Sequence, residues 1–329
     1  MTLGESADMV AMTIMVATGI ALNVFNLIFT VQQLWKAKSV QTVNLIISSI
    51  SLNNIILVLS CFYMVLDTFM EWDLFCESST HPFILTLLYL WLSSSSISVW
   101  SIAHLSVFYC IKVVTFSRQC LKALKTNISS IINAAVLVTY PLALCMFSPM
   151  LTLSAAESDS GYSTINSTWN ATSNVTKCPS LVFMAGIDPS LFTLIFVCFL
   201  CLFPLMTMLP TSLRLVVHLC GHTLSLRKNQ TQVQSADSYL LVCKLTISLV
   251  GVYLTTLAFV SIFFLSALQS NRISYTVIVF SFSFYVIMTA GLLTASNKFL
   301  KDKLWGLSCC KKPQEASSKS QTETEKGSV

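Results

Sequence analysis

Trp91 and the run Ser93, Ser94, Ser95 and Ser96 set a large aromatic face beside four small hydroxyls in an otherwise apolar stretch. That combination suits a pocket for a small organic molecule: an aromatic wall, room left by small side chains, and a few groups that fix orientation by hydrogen bonding. The alternative is packing, with the serines letting a neighbouring helix approach and the tryptophan anchoring a membrane interface. Asn23, Asn44, Asn53 and Asn54 form a second polar set, better suited to hydrogen bonds between helices than to a ligand. His104 is a lone imidazole that reads as a packing residue before it reads as a switch. No residues have the spacing of a catalytic centre: there is no His-Glu-x-x-His, no Gly-x-Ser-x-Gly and no Walker loop. Neither an enzymatic activity nor a metal or other cofactor is expected.

The stretches that carry these residues define the architecture. Seven charge-free runs of at least 25 residues lie between Asp8 and Lys36, Lys38 and Asp67, Glu77 and Lys112, Lys125 and Glu157, Asp188 and Arg214, Lys244 and Arg272, and Arg272 and Lys298. About 20 mostly apolar residues, rising roughly 1.5 Å each, cross a hydrocarbon core of about 30 Å as a helix. Hydrocarbon offers no hydrogen bonds, so each run must satisfy its own backbone and is expected to be helical. With 54% hydrophobic and 10% charged residues, the chain reads as one all-α membrane domain, a seven-transmembrane helix bundle. The spans hold no acidic residue, which weighs against a proton-coupled transporter and an intramembrane aspartyl protease. No internal repeat supports the inverted-repeat architecture of many carriers.

Charge orients the bundle. The loops after spans 1, 3 and 5, together with the C-terminal tail, hold 17 of the 19 Lys and Arg residues. The opposite face holds only Lys177 and Arg272 among the basic residues, and nine of the 14 acidic ones. Basic loops stay cytoplasmic, so the N-terminus is expected outside and the tail inside, at the plasma membrane. The net charge of +5 is this asymmetry and not a nucleic-acid footprint. Three glycosylation sequons, at Asn166, Asn170 and Asn174, fall in the loop after span 4, on the face assigned to the exterior. Of the 12 cysteines, only Cys76 and Cys178 fall on that oxidising side; they form a disulfide or stay reduced, and spacing does not decide.

The expected divisions follow. Residues 1–8 are a short extracellular N-terminus with no cleavable signal peptide, and residues 9–297 are the membrane domain, with external loop 2 at about 154–188 and inner loop 3 at about 218–243. In residues 298–310, Phe299, Leu300, Leu304 and Leu307 recur at helical spacing among Lys298, Lys301 and Lys303, the pattern of a short amphipathic helix lying in the inner membrane interface. It ends in Cys309-Cys310, a palmitoylation pair or two idle thiols. Residues 311–329, rich in Lys, Ser, Glu and Thr, read as a disordered cytoplasmic tail.

Span 3 closes with Trp100-Ser-Ile-Ala-His104-Leu105-Ser106-Val107-Phe108-Tyr109-Cys-Ile-Lys112-Val-Val-Thr-Phe116-Ser117, then Leu124-Lys125. This resembles the type 2 (bitter) taste receptors, a family of G-protein-coupled receptors whose third helix runs Trp-x-Ala-Thr-x-Leu-Ser-Val-Phe-Tyr-x-x-Lys-x-x-x-Phe-Ser. Gly19-Ile20 with Asn23 and Phe25, His222-Thr223, Lys244 with Ile247-Ser248, and Asn297 with Leu300-Lys301 extend the resemblance over about residues 9–305. The resemblance implies a chemosensory receptor. A small tastant would bind among the outer halves of spans 3, 5, 6 and 7, and a gustducin-like heterotrimeric G protein would engage the inner face. It places Trp91, Ser95 and Ser96 in the ligand pocket, with Val279-Phe280 at the pocket level of span 7. Because no carboxylate stands there, neutral apolar ligands should be tolerated better than cationic alkaloids. Coupling residues would come from the basic inner ends: Tyr109, Lys112, Lys122, Lys125, His218 and His222. Those inner cations also attract anionic membrane lipid, and association into homo- or hetero-oligomers stays open.

The chain departs from the family pattern at informative positions. Asn44 and Asn54 stand where the second helix usually carries Asp and Arg; the fifth-helix Leu-x-x-Ser-Leu reads Leu215-Val-Val-His218-Leu219 when His222 is aligned, although Leu209-Pro-Thr-Ser212-Leu213 matches it literally; Thr289-Ala290 replaces His-Ser on span 7. A divergent member of the family would carry such changes. A type 1 vomeronasal receptor is the nearest alternative, although the Leu-Ser-Val-Phe-Tyr run fits it less well. A small-molecule transporter is the alternative of another class.

Overall fold

A computed structural model of the chain describes residues 3–37, 41–70, 81–114, 119–155, 181–183, 195, 197–227, 233–268 and 276–308. Seven helices in it are long and apolar enough to cross a membrane. They are α1 (Leu3–Lys36), α2 (Thr42–Met70), α3 (His81–Val113), α4 (Gln119–Phe147), α5 (Phe203–Arg227), α6 (Val233–Leu268) and α7 (Thr276–Ser296). The amphipathic helix α8 (Lys298–Ser308) follows α7 after a single residue, Asn297. The Asn297 side chain accepts the Phe299 backbone N–H at 3.1 Å, so it caps the first turn of α8.

Helices outrun the charge-free runs. α1 begins at Leu3, so most of the stretch expected as a free N-terminus is helical, with Glu5 and Asp8 in its first two turns. α5 continues to Arg227 and α6 begins at Val233, so helix occupies much of the stretch expected as inner loop 3. A charge marks where hydrocarbon ends, and a helix is free to continue beyond it. After α4 a 3₁₀ turn, Ser148–Thr152, leads into β1 (Leu153–Ala155). β1 pairs antiparallel with β2 (Leu181–Phe183), Leu153 lying opposite Phe183. Three-residue strands in a polar loop carry too weak a pattern to be read from sequence.

α3 lies at the centre and packs against α2, α4, α5 and α6. Its small residues permit this: Ser93, Ser94, Ser95, Ser96, Ser98 and Ser101 are all buried. The main apolar core gathers Val16 of α1, Ile46, Ile50 and Leu57 of α2, Ile102, Leu105 and Phe108 of α3, Leu249 of α6, and Val286 and Leu293 of α7. α1 meets α7 closely at Gly19, where an added Cβ would stand 3.1 Å from Val286 Cγ1. The outward faces of α4 and α5 keep Leu137, Val138, Met206, Leu213 and Val217 exposed, as helices bordered by lipid do.

Candidate ligand site and inner cavity

Trp91 stands nearly three turns into α3, and its ring meets Phe282 of α7 edge-on, with centroids 5.2 Å apart and planes at 81°. Met12 of α1, Cys61 of α2 and Val279 of α7 form the buried group against which Trp91, Phe280 and Phe282 pack. The structure therefore brings three of the predicted pocket residues, Trp91, Val279 and Phe280, into one aromatic and apolar cluster. Its walls come from α1, α2, α3 and α7 rather than from α5 and α6. The serines divide. Ser95 lies four residues on from Trp91, near the same face, and its hydroxyl donates to the Leu92 carbonyl of its own helix at 2.9 Å. Ser96 is one residue further, about 140° around the axis from Trp91. That direction is shared with Trp100, which packs with Phe199 and Phe147 on the α4 side. The Nε1 of Trp91 and the hydroxyls of Ser93, Ser96 and Ser283 are buried without a hydrogen-bond partner among the described residues. Such groups are rare in folded proteins, and leaving each unmatched costs about 1–3 kcal/mol.

Below this cluster a polar ladder crosses the bundle. Asn54 of α2 donates to Thr289 Oγ1 of α7 at 3.0 Å and to Asn23 Oδ1 of α1 at 3.3 Å. Ser98 of α3 donates to Asn54 Oδ1 at 2.7 Å and lies 3.0 Å from the Tyr285 hydroxyl of α7. Asn23 and Asn26 reach the backbone carbonyls of Val286 and Ala290, at 3.4 and 3.1 Å. A second set joins α2, α3 and α4: Tyr140 OH accepts from Asn53 at 3.0 Å and lies 2.9 Å from Ser49, which lies 3.0 Å from Ser101. Asparagines at membrane depth thus link helices, as expected of such residues, although Asn53 turns to α4 and Asn54 to α7 as well as α1.

On the other flank α5 is entered through one turn of π-helix, Cys198–Leu202, which leaves backbone carbonyls turned from the regular ladder. Side chains from two neighbours receive them. Trp100 Nε1 donates to Phe199 O at 3.1 Å; Tyr253 OH of α6 donates to Leu200 O at 3.0 Å or Cys201 O at 3.1 Å. One irregular turn therefore ties α3, α5 and α6 together, directly behind the serine face of α3. His104 lies one turn below Trp100, with ring centroids 6.0 Å apart, in a packing position.

At the other end of the bundle lies a cavity of about 300 Å³ whose lining includes Gln33, Gln41, Asn44, Leu105, Tyr109, Asn297 and Lys298. Asn44 donates to Gln33 Oε1 at 2.9 Å and to Gln41 Oε1 at 2.8 Å. Of the predicted coupling residues, Tyr109 lines this cavity and also packs beside Leu215, Leu219 and Cys243 where α5 and α6 meet α3. Lys112 sits over the Phe108 ring of its own helix at 5.0 Å, and Lys125 Nζ of α4 reaches Val114 O at the end of α3 at 3.5 Å. His218 is half-buried on α5, while Lys122 on α4 and His222 on α5 are described by backbone only. Asn166, Asn170, Asn174, Cys76, Cys178, Cys309 and Cys310 lie outside the described residues. Among the described residues, no group of three or more His, Cys, Asp or Glu side chains could hold a metal ion. Gln33, Tyr140 and Tyr253 were not singled out from the sequence. An amide or phenol in an apolar span, which must find a partner there, was the available signal.

Seven apolar helices around a buried polar ladder, with an aromatic cluster at one end and a polar cavity at the other, define a multi-pass membrane protein of the heptahelical receptor class. The model of the taste receptor protein (TAS2R) family matches residues 1–312, and the chain belongs to that family. It is similar to human taste receptor type 2 member 2, at 27% identity over 119 residues. That stretch covers 35% of this chain and 37% of the human protein. The family is one of receptors, not of enzymes.

Proposed function

We infer that this protein is a chemosensory G-protein-coupled receptor that binds small bitter compounds in the outer half of its bundle and activates a gustducin-like heterotrimeric G protein. The N-terminus faces the medium and α8 lies on the cytoplasmic leaflet, as the basic bias of the loops requires. The observation that carries the ligand site is the cluster of Trp91, Val279, Phe280 and Phe282, with the Trp91 Nε1 and Ser283 hydroxyl close by in sequence and unmatched. A small molecule seated there gains apolar contact and satisfies one or two donors, the division of labour that small-molecule pockets use. No carboxylate stands in the spans, so neutral compounds are favoured over amines.

The ligand acts only through its differential affinity for two states of the bundle, about 1.4 kcal/mol for each tenfold change in population. The π-turn is suited to carry the bias, because Trp100 and Tyr253 hold its carbonyls from α3 and α6. The G protein meets the end that bears Tyr109, Lys112, Lys122, Lys125, His218 and His222. The test is a panel of amines and neutral bitter compounds applied to cells expressing the protein, with calcium release read with and without a taste-type G protein. Release that needs the G protein supports a receptor, and ligand uptake independent of it supports a carrier. Clear preference for amines would overturn the ligand class.

A further inference from the structure

A second cavity of about 300 Å³ lies between the end of α1 and α8, lined by Gln32, Gln33, Lys36, Gln41, Phe299 and Lys303. It differs from the inner cavity in position and character. Two lysines and three amides converge on it, one aromatic ring floors it, and no carboxylate is among its lining residues. The Lys303 ammonium stands 5.8 Å from the Phe299 ring centre, beside the cleft. Gln33 and Gln41 accept from Asn44 through their oxygens, so the amide N–H groups are not used in those two bonds. Two tryptophans mark the depth. Trp35, next to Lys36, is 84% exposed, and Trp305 on α8 is 62% exposed. Outward indoles at helix ends sit at the headgroup level of a bilayer.

We propose that this cleft is a binding site for a phospholipid whose headgroup carries phosphomonoesters, a phosphoinositide, held by Lys36 and Lys303 with the glutamine amides, its chains lying along Phe299. A phosphatidylserine headgroup fits less well, because its ammonium would meet two lysines and no carboxylate. Lysine clusters beside the cytoplasmic leaflet attract polyanionic lipid in this way. Gln33 and Gln41 are the shared wall, lining both cavities, and Asn44 sits behind them. It bonds both glutamines and also lines the inner cavity, so the bound headgroup stiffens the boundary of the end proposed to meet the G protein. The lipid's leaflet rests on the inward orientation of α8 inferred above.

The experiment uses the full chain purified in detergent, where both ends are accessible and orientation does not matter. Native mass spectrometry counts bound dioctanoyl phosphatidylinositol bisphosphate, dioctanoyl phosphatidylserine and free inositol trisphosphate. The bisphosphate lipid should bind, and Lys36→Gln with Lys303→Gln should weaken it about tenfold or more. Lys36→Arg with Lys303→Arg should keep it, and Lys319→Gln with Lys326→Gln in the tail should leave it unchanged. Equal binding to the glutamine pair and the wild type overturns the site. Equal binding of phosphatidylserine reduces it to charge alone, and equal binding of inositol trisphosphate makes it a soluble-phosphate site; either result overturns the proposal. Agonist response is a separate readout, so loss of this site leaves the receptor assignment standing.

Discussion

Asn54 on α2 donates a 3.0 Å hydrogen bond to Thr289 on α7, so two positions at which the chain departs from the bitter-receptor pattern are partners of each other. The pattern has a cation on the second helix and an imidazole on the seventh. Here a neutral amide and a hydroxyl meet instead, and Asn23 and Ser98 complete the amide's partners. In this chain the two departures from the pattern meet in one polar contact.

Asn54→Ala should therefore destabilise the bundle more than Thr289→Val, because it strands Asn23 and Ser98 as well. Side-chain hydrogen bonds at membrane depth average about 0.6 kcal/mol and reach about 1.7. A coupling of that size is expected between the two substitutions in a double-mutant cycle. Thermal unfolding of the detergent-purified protein measures it; strict additivity would show that the contact contributes nothing.

Gly19→Ala should be tolerated after a shift of a few tenths of an ångström at Val286. Gly19→Leu should push α1 from α7 and break the Asn23 and Asn26 bonds to Val286 and Ala290. Surface expression should fall severalfold for leucine and little for alanine. Equal expression of the two would deny the close approach.

Tyr253→Phe removes the donor to the carbonyls of the π-turn and should cost about 0.6–1.7 kcal/mol in stability. Trp100→Phe removes the donor to Phe199 O and should cost a similar amount. Melting temperatures of the two single variants check both; no change in either would mean that the turn holds itself.

Asn166→Gln, Asn170→Gln and Asn174→Gln should each remove one glycan from protein made in cells, while Asn127→Gln and Asn229→Gln, in the triplets Asn127-Ile-Ser and Asn229-Gln-Thr on the face assigned to the cytoplasm, should remove none. Mobility before and after glycosidase treatment reads this directly. Glycan at Asn229 would reverse the orientation drawn from the lysines.

The seven spans and α8 were legible because hydrocarbon imposes one solution on a long apolar run. The side chains at the site were less so. Trp91, Val279 and Phe280 do share a cluster, and it was the resemblance to the bitter-receptor family that set Val279-Phe280 at the level of Trp91. The resemblance grouped Ser96 with Ser95, yet adjacent helical residues lie about 100° apart, and Ser95 is the nearer of the two to the Trp91 direction. The π-turn before α5 left no such trace. Its irregular hydrogen bonds depend on Trp100 and Tyr253, residues distant in sequence that become neighbours only in the bundle. The pairing of Asn54 with Thr289 was hidden for the same reason.

The most direct measurement of the central claim is agonist-driven nucleotide exchange on a purified heterotrimeric G protein, using the reconstituted receptor and its Trp91→Ala variant. Wild-type receptor with a neutral bitter agonist should accelerate exchange, and the variant should need about tenfold more agonist, the effect of losing one well-packed aromatic contact of roughly 1.4 kcal/mol. No acceleration by any agonist, or equal potency for the two proteins with every agonist, would contradict the account.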